Sequence, residues 1–125
     1  RLPLFPLRGA LLLPGGDLPL NIFEPRYLAM VDGALRTDRL IGMIQPKAGA
    51  AQPAWDDSST ADQLGALYQT GCAGRITEYR ETDDGRLLIA LRGVSRFHLA
   101  QPPRRDPAGY GVAAVDWSAF AADLE

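Results

Sequence analysis

The stretch Leu20–Leu35, LNIFEPRYLAMVDGAL, changes from the pattern of a strand to the pattern of a helix within a few residues. Pro25 suits the first turn of a helix, because its missing N–H would have no partner there. Glu24 places negative charge where the helix dipole favours it. An apolar stripe with spacings of three and four residues follows, formed by Tyr27, Leu28, Val31, Ala34 and Leu35. We therefore predict an amphipathic helix over residues 24–36.

Most of the remaining chain has the alternation or the short apolar runs that are typical of strands. Prolines within the first runs cannot donate ladder hydrogen bonds, so these strands are predicted to run along sheet edges or to bend. Because a single helix cannot bury its apolar stripe alone, we expect a mainly β (α+β) fold. The predicted strands are Leu2–Leu7, Ala10–Leu13, Leu18–Ile22, Leu40–Gln45, Gly71–Tyr79, Arg86–Leu99 and Tyr110–Val115.

The two longest predicted strands flank a turn that contains Asp84 and Gly85, a pair that suits a tight hairpin. Gly93 in the second arm predicts a bulge or bend, after which Val94 and Phe97 are expected to continue the core.

Two segments fall outside the strand pattern. Residues 46–63 are rich in Ala, Pro, Ser, Asp and Gly and predict a long loop, with Trp55 as its only large apolar residue. Ser118 has the character of a helix N-cap and is predicted to open a helix over Ala119–Glu125. We therefore expect a β domain over residues 1–117 and the start of a truncated helical part over residues 118–125.

The composition is that of an ordinary globular domain. The chain has 125 residues, 46% of them hydrophobic, with a formal net charge of −2, so no global field favours nucleic acid or anionic lipid. The longest apolar run near the N-terminus, Ala10–Pro14, is far shorter than the roughly 20 residues that a spanning helix needs. We expect no membrane association.

Catalytic and metal-binding patterns are missing from the sequence. His98 and Cys72 are each the only residue of their type, whereas a zinc site needs three or four such ligands. There is no Gly-Lys dipeptide of a phosphate-binding loop and no G-x-S-x-G elbow. A Ser–Lys pair would have to use Lys47 at the start of the predicted loop. We therefore expect no enzyme activity, no cofactor and no metal.

A set of arginines surrounds the predicted hairpin, interleaved with acidic residues. This pattern is compatible with RNA binding, but it also fits the solvated face of a hairpin, which the interleaved acids favour. The arginines are Arg75, Arg80, Arg86, Arg92, Arg96, Arg104 and Arg105, and the acids are Glu78, Glu81, Asp83 and Asp84.

Two blocks of the sequence resemble the Lon N-terminal domain family, the substrate-binding domain of ATP-dependent Lon proteases. The first block, LPLFPLRGALLLPGGDLPLNIFEPRYLAMV at residues 2–31, has the L-P-L-F-P-L-R start, a Pro-Gly turn and an E-P-R-Y helix start. The second block, GCAGRITEYRETDDGRLLIALRGVSRFHL at residues 71–99, has the G-x-x-x-R-I strand, the acidic hairpin and the G-x-x-R-F strand end. The E-P-R-Y wording is similar to that of stand-alone bacterial members.

The resemblance implies a PUA-like β-pseudobarrel with one helix in a cytoplasmic protein. The family's ATPase and Ser–Lys peptidase lie in other domains, so the implied role is non-catalytic recognition of polypeptide, unfolded or degron-bearing. RNA binding stays open as the alternative, because PUA-like folds also occur in RNA-associated proteins. A small-molecule pocket in the barrel mouth is a third possibility.

The positions that match the family motif also have structural explanations. A helix cap, a helix start and an Arg–Glu pair across the barrel mouth would account for Arg8, Glu24, Pro25 and Arg26. A peptide site should instead present exposed aromatic surface, for which the candidates are Phe23, Tyr27 and Trp55. A peptide could also add to an open strand edge near the N-terminus.

Overall fold

The computed structural model describes residues 1–7, 9–46, 70–101 and 103–124. Arg8, Trp55 and residues 47–63 of the predicted loop lie outside these ranges. Within them the chain forms eight strands, one α-helix and a C-terminal 3-10 helix. Their bounds are β1 Leu2–Pro6, β2 Asp17–Ile22, α1 Pro25–Leu35, β3 Leu40–Ile44, β4 Thr70–Glu81, β5 Leu87–Leu99, β6 Arg104–Arg105, β7 Gly111–Ala113, β8 Val115–Asp116 and the 3-10 helix Ser118–Leu124.

The strands form one mixed sheet in the order β2-β5-β4-β3-β1-β7-β6, in which only β1 and β3 are parallel. The sheet closes because β7 and β8 are consecutive but pair with different neighbours. Ala113 of β7 lies opposite Leu2 of β1, whereas Val115 of β8 lies opposite Leu99 of β5. This closure gives the PUA-like pseudobarrel that the family resemblance implied, and the predicted mainly β fold is confirmed.

The long hairpin formed by β4 and β5 has the predicted turn. Gly85 adopts a positive φ of 83°, which suits glycine. The Thr82 N–H donates to the Arg86 carbonyl (2.9 Å), and the Gly85 N–H donates to the Thr82 carbonyl (3.2 Å). The turn therefore satisfies its own backbone groups and fixes the register of the two strands.

Gly93 lies beside a bulge, as predicted. Ala73 lies opposite Ser95 and Gly74 lies opposite Gly93, so Val94 is the extra residue. The prediction that Val94 belongs to the core is wrong. The bulge leaves Val94 half-buried, and the strand alternation instead buries the neighbouring Ser95 completely.

The segment over residues 10–13 is irregular, and the prediction of a strand there is wrong. Its alternation is real, because Leu12 is buried while Leu11 and Leu13 are exposed. However, the backbone then turns and crosses Gly93: the Gly15 N–H donates to the Gly93 carbonyl, and the Gly93 N–H donates to the Gly16 carbonyl (both 2.8 Å). Two hydrogen bonds at one residue anchor the segment without a strand ladder.

The prolines of β1 and β2 occupy different positions from each other in the sheet. β2 is an edge strand, as predicted for Pro19. β1 is not at an edge, because it lies between β3 and β7. Pro3 lies opposite Val112 of β7 but ahead of the pairing with β3, which begins at Leu4, and Pro6 is the last residue of the strand.

Helix α1 has Glu24 at its N-cap and Pro25 in its first turn, as predicted. It buries Tyr27, Met30, Val31 and Ala34 against the sheet. Leu28 and Leu35, which were predicted on the same stripe, are half-buried and lie at its flank. These apolar contacts form one core between the helix and the sheet. A second core lies on the opposite face of the sheet and includes Leu2, Leu4, Ile44, Phe97 and Leu99.

The C-terminal residues are helical but differ from the prediction. Ser118–Leu124 form a 3-10 helix, interrupted by the non-helical conformation of Phe120. The capping side chain is Asp116, whose carboxylate accepts a hydrogen bond from the Ser118 N–H (2.9 Å). An acceptor two residues upstream therefore replaces the predicted Ser118 cap.

This terminal helix is held on β5 by Arg96. The Arg96 guanidinium donates two hydrogen bonds to the Asp123 carboxylate, from Nε and from the Nη2 nitrogen (both 2.9 Å), and it stacks on the Phe120 ring at 4.7 Å. These hydrogen bonds lower the pKa of Asp123 below its ordinary value of 3.8. The ion pair therefore persists at neutral pH.

A pair of glycine substitutions tests the crossing at Gly93. A Cβ on Gly93 would lie 1.9 Å from the Leu13 carbonyl oxygen, so Gly93→Ala must displace backbone and should destabilise the fold by about 1–3 kcal/mol or more. A Cβ on Gly33 would meet only the Tyr110 hydroxyl at 3.5 Å, so Gly33→Ala should stabilise α1 by about 0.5–1 kcal/mol. Urea unfolding of the three proteins measures both changes, and equal effects of the two substitutions would contradict the close approach.

The Arg96–Asp123 pair predicts a pH-dependent contribution to stability. Because the folded-state pKa of Asp123 is lowered, the pair should stabilise the protein above pH 4 or so and lose this effect as the pH falls through the folded-state pKa. Asp123→Asn should therefore lower the free energy of unfolding at pH 6 and change it much less at pH 3. A difference between the two proteins that is the same at both pH values would refute the ionic contribution.

Candidate functional site

An open groove of about 540 Å³ lies between α1 and the β4–β5 hairpin. Its size falls within the roughly 300–1,000 Å³ of pockets that bind small ligands. The helix contributes Leu28, Asp32 and Leu35 to its walls, and the hairpin contributes Tyr79, Glu81, Gly85, Arg86 and Leu87.

The periodicities of the two elements explain this lining. Leu28, Asp32 and Leu35 recur at spacings of four and three, so they share one flank of α1 beside its buried stripe. Tyr79 and Glu81 are two residues apart in β4 and therefore project to the same face of the hairpin. The groove forms where the helix flank meets that face.

Two large aromatic residues provide exposed apolar surface at this end of the molecule. Tyr79 is 56% exposed and lines the groove. Phe23 is 64% exposed and directly follows Ile22, whose partner across the sheet is the groove residue Leu87. The register therefore places Phe23 one residue beyond the position opposite Leu87, although Phe23 itself does not line the groove.

Two charged residues of the groove lining, Asp32 and Arg86, have ion-pair partners outside the lining. Arg36 contacts Asp32 at 3.2 Å, and Arg86 contacts Asp84 at 2.9 Å. Hydrogen bonds from Thr82 and then from Arg86 lower the pKa of Asp84, so this second pair is ionised at neutral pH. Among the described residues, Glu81 has no ion-pair partner.

The structure separates the three aromatic residues that were predicted to bind peptide. Phe23 is exposed, whereas Trp55 lies outside the described residues. Tyr27 is only 1% exposed, so the expectation of an exposed ring there is wrong. Its ring packs 4.6 Å from that of Phe5, because Tyr27 belongs to the buried stripe of α1.

Tyr79 was not among the predicted site residues. Its neighbours in the sequence, Glu78 and Arg80, are charged, and β4 is exposed from Thr77 to Glu81. A single aromatic residue among charged neighbours at the end of a strand could have indicated that Tyr79 is an exposed binding residue.

The residues of the E-P-R-Y motif support the helix start. Arg26 contacts the Glu24 carboxylate at 3.5 Å, and its guanidinium lies over the Tyr27 ring at 4.7 Å. An Arg–Glu pair is thus present within the motif itself, while Arg8 lies outside the described residues.

Cys72 and His98 have structural surroundings. Cys72 is buried, and burial together with the nearby Asp123 charge raises the pKa of its thiol to about 11. His98 is half-buried rather than solvent-facing as predicted, because its ring contacts Phe120 at 4.8 Å and the Thr70 hydroxyl at 2.9 Å. Over residues 1–7, 9–46, 70–101 and 103–124, no three His, Cys, Asp or Glu side chains are grouped as metal ligands.

Several of the hairpin arginines are engaged by carboxylates. Arg92 contacts Asp17 at 3.5 Å, in addition to the Arg86–Asp84 and Arg96–Asp123 pairs.

In the described part of the chain, no helix has the length and apolar character needed to cross a membrane.

The family model of the ATP-dependent protease La (LON) substrate-binding domain matches residues 1–123. This chain belongs to the LON substrate-binding domain family. Its relatives include the Lon protease of Parabacteroides distasonis, 32% identical over 91% of this chain, and Lon protease 2 of Myxococcus xanthus, 29% identical over 92% of it. The chain spans only 13% of the length of each of these relatives.

Solved structures of LON domains share the fold. A Lon N-terminal domain protein from Xanthomonas campestris superposes with a TM-score of 0.69 at 32% identity, covering 93% of this chain and 58% of that one. The N-terminal domain of the Mycobacterium avium complex Lon protease, at 16% identity, superposes with a TM-score of 0.62 over 93% of this chain and 53% of that one. The predicted family and the pseudobarrel fold are thus confirmed.

The surroundings of Cys72 predict an unreactive thiol. With a pKa of about 11, only about one molecule in a thousand carries a thiolate at pH 8. Iodoacetamide should therefore label the native LON domain at least about a hundredfold more slowly than the same protein in urea. Mass spectrometry measures the labelled fraction, and equal rates in the two states would contradict a buried thiol.

Proposed function

We propose that this LON domain is a non-catalytic, cytoplasmic module that recognises polypeptide, unfolded or degron-bearing, through the groove between α1 and the β4–β5 hairpin. Membership of the substrate-binding domain family supports the class of ligand. We propose binding without proteolysis, because the chain spans only 13% of the length of each of these Lon proteases. The boundary between a β domain over residues 1–117 and a helical part over residues 118–125 stays a prediction.

The observation that carries the proposal is the exposed aromatic surface at the groove. Tyr79 is more than half exposed and lines the groove with the half-buried Leu28 and Leu35. Phe23 is also more than half exposed and follows the strand partner of the groove residue Leu87. Such surface is costly to leave in water and is typical of a binding site. An apolar side chain of an unfolded polypeptide would replace water on Tyr79 and on the helix flank.

The edge strand β2 offers a second way of holding an extended peptide. In the described structure β2 pairs only with β5, so its other edge could add a peptide strand. Pro19 interrupts the donors along this strand, which makes the groove the better supported site.

Fluorescence anisotropy with a labelled, permanently unfolded polypeptide tests the proposal. We expect saturable binding that persists at high salt and weakens about fivefold or more in Tyr79→Ala and in Phe23→Ala. Leu11→Ala is the matched control, because Leu11 is an exposed apolar residue that does not line the groove. Its binding should equal that of the unchanged protein.

A single-stranded RNA probe in the same assay supplies the contrary outcome. RNA binding that collapses between low and high salt, without any polypeptide binding, would overturn the proposal in favour of phosphate contacts by the hairpin arginines. Circular dichroism of each variant shows whether a loss of binding follows from a loss of fold.

A further inference from the structure

The groove has an uncompensated negative charge beside its apolar surface. Asp32 and Asp84 are each held by an arginine, at 3.2 and 2.9 Å, and contribute little net charge. Glu81 lines the same groove, is exposed, and has no ion-pair partner among the described residues. Any ligand in the groove therefore meets one free carboxylate.

The position of this carboxylate relative to Tyr79 is fixed by the strand. Tyr79 and Glu81 lie in β4 on the same face, two residues apart, which corresponds to a rise of about 6.7 Å. An extended peptide has the same repeat, so its side chains at positions i and i+2 also project to one side about 6.7 Å apart. One such pair can contact Tyr79 and Glu81 at the same time.

From these two observations we infer that the groove selects polypeptide segments in which an apolar or aromatic residue and a lysine or arginine are separated by one residue. The apolar side chain packs on Tyr79 and the helix flank, and the cation pairs with Glu81. This inference rests on the proposed function and adds the class of sequence that the groove prefers. It also disfavours acidic segments, whose carboxylates would approach Glu81.

Three peptides that differ at a single position test the selection. Each carries the same aromatic anchor, and the residue two positions away is Lys, Gln or Glu. For the unchanged domain we expect the Lys peptide to bind about two- to fivefold more tightly than the Gln peptide, which is the range for an exposed ion pair. The Glu peptide should bind most weakly. Glu81→Gln should abolish this ranking, and Glu81→Lys should invert it.

Glu78→Lys is the matched control. Glu78 lies in the same strand and undergoes the same change of charge, but strand alternation places it on the face opposite to Tyr79 and Glu81. The ranking of the three peptides should survive this substitution. An inversion equal to that of Glu81→Lys would show a general charge effect and would overturn the inference.

The remaining outcomes separate this inference from the proposed function. Equal affinity for all three peptides, with loss of binding in Tyr79→Ala, would overturn the charge selection and leave polypeptide recognition in place. No saturable binding of any peptide by the folded domain would contradict both.

Discussion

The packing of Tyr27 on Phe5 determines where the helix of this LON domain lies. Their rings are 4.6 Å apart, and they come from the L-P-L-F-P-L-R and E-P-R-Y motifs at the two ends of one sequence block. Phe5 belongs to β1, which pairs with both β3 and β7 inside the sheet. Fixing the helix to β1 therefore fixes it relative to the whole barrel, and this contact directs the flank with Leu28 and Leu35 towards the hairpin.

Strand β5 connects the other parts of the fold to this arrangement. It pairs with β2, β4 and β8 and carries the C-terminal 3-10 helix through Arg96. The Leu13 carbonyl crosses β5 at Gly93, so close that a Cβ at this position would clash with the carbonyl oxygen. The β4 wall of the groove pairs with this strand as far as Glu81, so its geometry is set by the barrel.

Local patterns predicted those features that depend on neighbours in sequence. The hairpin turn at Gly85 and the helix start at Pro25 follow from backbone preferences that no distant contact has to supply. The predictions were wrong where a residue distant in sequence determines the conformation or the burial of a side chain. The alternation around Leu12 has no ladder partner, because the hydrogen bonds that hold this part of the chain to β5 come from the turn at Gly15 and Gly16. Tyr27 is buried by Phe5, a residue far away in the sequence. Apolar spacing identifies a face but not what covers it.

The same distinction explains why the candidate groove could be predicted only in part. Phe23 was predicted because it is an aromatic residue near the helix start, whereas Tyr79 has the pattern of one more residue of a strand. From Thr77 to Glu81, however, the side chains of β4 are exposed, although the strand still pairs with β5 there. Because these side chains contribute little to the buried core, substitutions there can change binding with little effect on the stability of the fold. A recognition surface built on these exposed positions of β4 can change its specificity while the Tyr27–Phe5 contact and the barrel stay the same.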